Sequence, residues 1–151
     1  MKGTGNNFAS GYLSDGLEKI DEIIDVVNKE VEKCDCMQGI QLINTLGGGT
    51  GSGLGALIMC KMNEEHNEKI NCSFSVFPSQ SVSDNVLEPY NALLSLNTLM
   101  DCAALIFAFD NEALYNICFR TLKMPCPSYS DINNLIALIM SSQTCSLRFP
   151  G

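Results

Sequence analysis

The chain has 151 residues, 46% of them apolar and 17% charged, and a formal charge of −8. That length suits one domain with a real core and falls short of two. The acidic balance argues against nucleic acid as a partner, because no basic stripe is present to neutralise phosphates. No apolar run approaches the roughly 20 residues that span a bilayer.

Residues 1–7 lack the apolar centre of a secretory signal, so a cytosolic setting is expected. The eight cysteines then read as thiols, with Cys60, Cys72, Cys102 and Cys118 buried inside apolar runs. Cys34-Asp35-Cys36 has one residue too few between its thiols for the usual zinc pair. His66, the single histidine, stands in a charged stretch and reads as a solvated surface residue.

Gly3-Thr4-Gly5-Asn6-Asn7 is loop-type sequence with nothing before it to hold it in place. From residue 14 to about 32, Leu17, Ile20, Ile24, Val27 and Val31 recur at gaps of three and four, which predicts a helix with one apolar face. Residues 40–46 read as a short strand. Residues 54–62 read as a helix burying Leu54, Leu57, Ile58 and Met62. The alternation in residues 70–76, closed by Pro78, predicts a second strand. The polar loop 79–85 follows.

Residues 86 to about 100 predict a helix with Leu87, Tyr90, Leu94 and Leu93 inward and Pro89 in its tolerant first turn. Residues 103–109 are continuously apolar, as in a strand buried on both faces. Asp110-Asn111 opens a helix through Leu114, Ile117 and Cys118. After the loop 123–130, Asp131 starts a last helix with Ile132, Leu135, Ile136 and Ile139. Strand and helix alternate, which predicts an α/β fold: a Rossmann-like parallel sheet with helices on both faces. Ligands of such sheets collect beyond the carboxyl ends of the strands. The loops at 47–53, 79–85 and 110–111 all lie there.

The first of these loops is Gly47-Gly48-Gly49-Thr50-Gly51-Ser52-Gly53. Five glycines in seven positions would each cost about 0.5–1 kcal/mol inside a helix or strand. Between a strand and a helix they allow backbone N–H groups to converge on an anion beside the positive helix end. The loop reads as a phosphate cradle, against the plainer reading of a tight turn without a ligand. The P-loop pattern fails because Leu54, not lysine, follows Gly53. The dinucleotide fingerprint fits only in relaxed form, as Gly51, Gly53 and Ala56, with no clear acid about 20 residues on.

The loop resembles the signature of the tubulin family residue for residue. Asn6-Asn7, Cys34-Asp35-Cys36, Val82-Ser83-Asp84, Glu88-Pro89-Tyr90-Asn91 and Asp110-Asn111-Glu112-Ala113-Leu114-Tyr115 look like tubulin segments in the same order. Cys118-Phe119-Arg120-Thr121-Leu122-Lys123 and Arg148-Phe149-Pro150-Gly151 are similar to the β type. Val76-Phe77-Pro78-Ser79-Gln80 leans towards the γ type. The resemblance covers the whole chain and implies a part of a tubulin/FtsZ-type GTPase domain over residues 1–151.

That resemblance implies GTP/GDP as the ligand. Gly5 and Asn6 match a loop near the phosphates, and Gly49, Thr50 and Gly51 match the cradle. Thr45 keeps a hydroxyl where serine is usual. Asp84 and Glu88 match a loop beside the ribose. Asn111 and Asn133 match guanine-reading positions, where a carboxamide offers both donor and acceptor, and Tyr129 matches the ring that stacks on the base. Singly, each has a plainer reading: Asn111 and Asp131 stand where helix caps are expected, Tyr129 could be loop packing, and Asp84 a turn acid.

The implied protein is a GTPase subunit of the cytoplasmic cytoskeleton. It pairs with an α-tubulin-like subunit in a heterodimer and microtubule polymer, and hydrolyses GTP where the next subunit supplies an acid. The family's first strand and loop, its Mg²⁺-binding acid, its second domain and its acidic tail have no counterpart between Met1 and Gly151. Phe8 stands where tryptophan is usual. No catalytic residue and no metal ligand is therefore expected within the chain. A sheet edge left open predicts that the chain alone is poorly soluble and binds GTP weakly or not at all. A truncated relative acting only as an interaction module is the second reading, and a dinucleotide-dependent oxidoreductase the third.

Overall fold

Helix α1 (Asp15–Val31) forms where the apolar spacing predicts it, in a computed structural model that describes residues 3–79 and 85–150. It buries Ile20 and Ile24 against Leu57 and Met62, with Tyr12, Val27, Ile40 and Ile58 packed around them. Leu17, expected on that face, stays exposed. The helical path starts earlier than the periodicity indicates, because a π-helical turn, Ser10–Ser14, precedes α1. A Cβ at Gly11 would fall on the carbonyl oxygen of Gly49, so this glycine lets the turn lie against the glycine loop, whereas one at Gly16 would fall on the Gly11 carbonyl of the same helical path.

Three parallel strands, β1 (Gly39–Thr45), β2 (Ile70–Phe77) and β3 (Leu105–Asp110), form one sheet in the order β1-β2-β3. β1 and β2 run in register from Gly39 opposite Ile70 to Thr45 opposite Val76. This is the α/β, Rossmann-like architecture expected. Helix α2 (Gly55–Glu65) follows β1 through the glycine loop, and α3 (Glu88–Cys102) follows β2. Leu46, Met59, Ala92 and Leu99 form the second core cluster, bordered by Leu42, Phe77 and Ile106.

The order of strands sets the burial of β2 and reverses the expectation for β3. β2 lies in the middle, and Asn71, Cys72, Ser73, Phe74 and Ser75 are all buried. Its polar residues therefore do not mark a solvent face: Ser75 Oγ donates to Asn44 Oδ1 at 2.7 Å and Ser73 Oγ to the same oxygen at 3.4 Å. β3, expected to be covered on both faces, is an outer strand with Leu105 50% exposed and Phe109 buried.

Helix α3 also turns the other way. Leu87, Tyr90, Leu93 and Leu94 are exposed, and the buried face is Asn91, Ala92, Ser95 and Leu99. The polar pair on that face is satisfied by backbone groups of the glycine loop, which offsets the cost of burying it.

The cysteine reading needs one correction. Cys60 on α2 and Cys102 at the end of α3 form a disulfide, with Cα atoms 5.1 Å apart. Cys72 and Cys118 are buried free thiols, as expected. His66 is half-buried rather than fully solvated, with Nε2 3.4 Å from Asn28 Oδ1 of α1.

By chain contacts there are two compact units, Met1–Ala108 and Phe109–Gly151. The second holds α4 (Asn111–Asn116), a π-helical turn at Ile117–Thr121, α5 (Tyr129–Gln143) and α6 (Cys145–Arg148). Both helix caps differ from expectation. Asp110 caps α4, its Oδ1 accepting from the Glu112 N–H at 2.9 Å, so Asn111 is the first helical residue and not a cap. Ser128 precedes α5, and Asp131 Oδ2 accepts from its N–H at 2.8 Å and its Oγ–H at 2.7 Å. Those two donors hold the Asp131 carboxyl below its ordinary value.

Candidate functional site: the glycine loop and its supports

The glycine loop begins where β1 ends, and its first half is fixed by hydrogen bonds to its carbonyl groups. Asn91 Nδ2 donates to Gly47 O at 2.9 Å. The Ser52 N–H donates to Gly48 O at 3.1 Å, and Ser52 Oγ donates to the same oxygen. A trans peptide is planar, so a carbonyl drawn one way sends the next N–H the opposite way. The N–H groups of Gly48 and Gly49 are therefore turned away from Asn91 and Ser52. Neither has a hydrogen-bond partner among the described residues.

None of the loop glycines adopts a positive φ, so left-handed backbone is not what they provide. Close approach is. A Cβ at Gly51 would fall on the carbonyl oxygen of Thr45, and one at Gly53 on that of Phe8. Gly48 differs: a Cβ there would meet nothing nearer than Asn6 Oδ1 at 3.9 Å. The loop is thus close-packed on the protein side and open at Gly48.

Several of the expected residues of the first unit lie in or against this loop. Thr50 Oγ1 lies 3.2 Å from Thr4 Oγ1, and the hydroxyl-bearing Thr45 and Thr50 are both exposed. A Cβ at Gly49 would clash with Thr4 Oγ1 and the backbone of Asn7, so the 3–7 segment lies against the loop. Gly5 and Asn6 turn that segment, with φ of 59° and 55°. Glu88 has side-chain atoms 3.4 and 3.5 Å from where a Gly47 Cβ would be. Asp84 lies outside the described residues.

In the second unit, Asn111 sits at the start of α4 with its carboxamide relieved of capping by Asp110. Tyr129 is the first residue of α5 and is 77% exposed, so packing does not account for its ring. Asn133, one turn further on, is exposed as well.

Periodicity missed several residues that hold the site. Asn91 accepts from the Phe8 N–H through Oδ1 at 3.0 Å and donates through Nδ2 to Asn6 O at 2.7 Å, besides Gly47 O. Asn44 Nδ2 donates to Gly51 O at 2.9 Å from inside β1. Ser95 Oγ donates to Ser52 O at 3.0 Å. A count of apolar spacing treats such residues as outward-facing. For Asn44 the available signal was its place in the strand that leads into the glycines; Asn91 and Ser95, 44 and 43 residues from Gly47 and Ser52, carried no local signal.

The family model described as "Tubulin/FtsZ family, GTPase domain" matches residues 1–119, which contain the glycine loop and every support just described. The chain belongs to the tubulin/FtsZ family. Its similarity within this family is to β-tubulins. It is 58% identical over all 151 residues to the "Tubulin beta-3 chain" of Echinococcus multilocularis, covering 34% of that protein. It is 52% identical over the same 151 residues to the "Tubulin beta chain, nucleomorph" of Guillardia theta, again covering 34%. The chain thus spans about a third of the length of the curated relatives it matches. Among the described residues, no group of three or more His, Cys, Asp or Glu side chains could hold a metal ion. No helix of the described residues is long and apolar enough to cross a membrane.

Proposed function

We propose that this chain carries the phosphate- and guanine-binding part of a β-tubulin-like GTPase subunit, with GTP or GDP held at the Gly47–Gly53 loop. The observation that carries this reading is the unpartnered N–H of Gly48, turned to the open side of a loop inside the family match. Backbone N–H groups fixed in advance donate to phosphate oxygens without reorganising. The hydroxyls of Thr45 and Thr50 add donors, and Gly51 keeps the chain close to Thr45. Gly5 and Asn6 flank the phosphates, and Asp84 and Glu88 accept from ribose hydroxyls. Asn111 and Asn133 read the guanine edge, and Tyr129 stacks on the base.

In the whole protein the partner is an α-tubulin-like subunit in a heterodimer and a microtubule polymer of the cytoplasmic cytoskeleton. Hydrolysis takes place at the contact with the next subunit, so no catalytic residue is assigned in this chain. Mg²⁺ would balance phosphate charge in such a protein. Such an ion would be held mainly by the phosphates and water, since no group of three or more His, Cys, Asp or Glu side chains gathers among the described residues. The domain is read as one partial GTPase domain over residues 1–151.

A competition series of GTP, ATP and NAD tests the assignment, read by amide shifts of Gly48–Gly51 up to millimolar nucleotide. GTP is expected to shift these amides at the lowest concentration of the three, weakly and within the millimolar range, as the open sheet edge of the chain alone implies. Preference for NAD or ATP over GTP would overturn the reading.

A further inference from the structure

We propose that Asn91 is the positioning residue of this site, the group that turns the Gly48 N–H outward and holds residues 6–8 beside it. The inference rests on the reading of the glycine loop as a phosphate site. Asn91 is only 4% exposed, and both its donor hydrogens and its oxygen are engaged. One Nδ2 hydrogen goes to Gly47 O at 2.9 Å and the other to Asn6 O at 2.7 Å, while Oδ1 takes the Phe8 N–H at 3.0 Å.

Three segments far apart in sequence thus meet on one side chain: the 6–8 segment, the glycine loop and the first turns of α3. The Gly47–Gly48 peptide has two ways to face, carbonyl inward or N–H inward. Asn91 selects the first, because Nδ2 is a donor and cannot accept. Planarity then sends the Gly48 N–H to the open side. An aspartate in the same shape would keep the acceptor for Phe8 and lose both donors. It would also set a negative charge against two carbonyl oxygens and favour the reversed peptide, with the N–H drawn inward.

The test uses the whole chain as wild type, Asn91→Asp and Asn91→Ala. Hydrogen exchange is read at Phe8 and Gly48, and binding of guanosine, GMP, GDP and GTP is followed by amide shifts. Phe8 is expected to stay protected in Asn91→Asp and to exchange faster in Asn91→Ala. Both variants are expected to weaken GTP binding roughly tenfold or more, with aspartate the worse. The loss is expected to grow along the phosphate series while α1 amides keep their protection. In the wild type, inorganic pyrophosphate alone should shift Gly48, an arm that needs no variant to fold.

Equal loss for guanosine and GTP would reduce Asn91 to a structural role and overturn the proposal. So would Asn91→Asp binding GTP like the wild type while the wild type shifts at Gly48. If neither GTP nor pyrophosphate shifts any loop amide of the wild type, the phosphate-site reading itself falls, and the role of Asn91 with it.

Discussion

Ser95 Oγ donates to the carbonyl oxygen of Ser52 at 3.0 Å, and both side chains are completely buried. This bond ties the middle of α3 to the end of the glycine loop, one turn beyond the tie made by Asn91. Ser52 O also accepts the N–H of Gly55, so removing the serine hydroxyl leaves the carbonyl with a partner. Ser95→Ala is therefore expected to cost about 1 kcal/mol, the net value of one hydrogen bond. Ser95→Val adds bulk to a filled site and is expected to cost about 1–3 kcal/mol. Urea unfolding midpoints at constant slope measure both.

The loop glycines should separate into two kinds on substitution. Gly51→Ala and Gly53→Ala drive a Cβ onto the carbonyl oxygens of Thr45 and Phe8. About 1–3 kcal/mol of destabilisation is expected at each, because backbone must move. Gly48→Ala meets only Asn6 Oδ1 at 3.9 Å and is expected to change stability by less than about 0.5 kcal/mol. Thermal unfolding of the three variants decides. A Gly48→Ala loss as large as that of Gly51→Ala would contradict the described packing.

Denatured without reductant, the chain should offer six thiols to alkylation, and eight after reduction. The bridged pair, Cys60 and Cys102, is 42 residues apart in sequence, and closing such a loop stabilises by about 2–4 kcal/mol. Reduction should lower the unfolding midpoint accordingly. In the native state Cys34, Cys36, Cys126 and Cys145 are exposed and should react first. Cys72 should lag, since it is buried and burial pushes its thiol pKa up. Mass spectrometry of partially alkylated chain reads the order.

The start of α5 carries a pH dependence of known sign. Ser128 donors stabilise the charged form of Asp131, so its folded pKa lies below the ordinary 3.8. The contribution is fully present above the unfolded value and is lost as pH falls through the lower, folded value. Carboxyl titration by NMR should therefore give Asp131 a midpoint below 3.8. Ser128→Ala removes the Oγ donor and should move that midpoint upward, with fraying of Tyr129 and Ser130.

The sequence alone determined the order of elements, the glycine loop and the family resemblance. These rest on local chemistry: glycine, proline and apolar spacing act within a few residues, so β1, α1 and α2 appear close to where they were expected. The orientation of α3 was not legible, because Asn91 and Ser95 count as surface residues until the carbonyls of Gly47 and Ser52 are seen to satisfy them. Burial of Ser73 and Ser75 likewise needed β2 to be the middle strand and Asn44 to be its neighbour. The Cys60–Cys102 bridge depended on α2 and α3 lying side by side. Each of these depends on a partner that arrives from another part of the chain, and for the polar groups that partner is what makes burial stable.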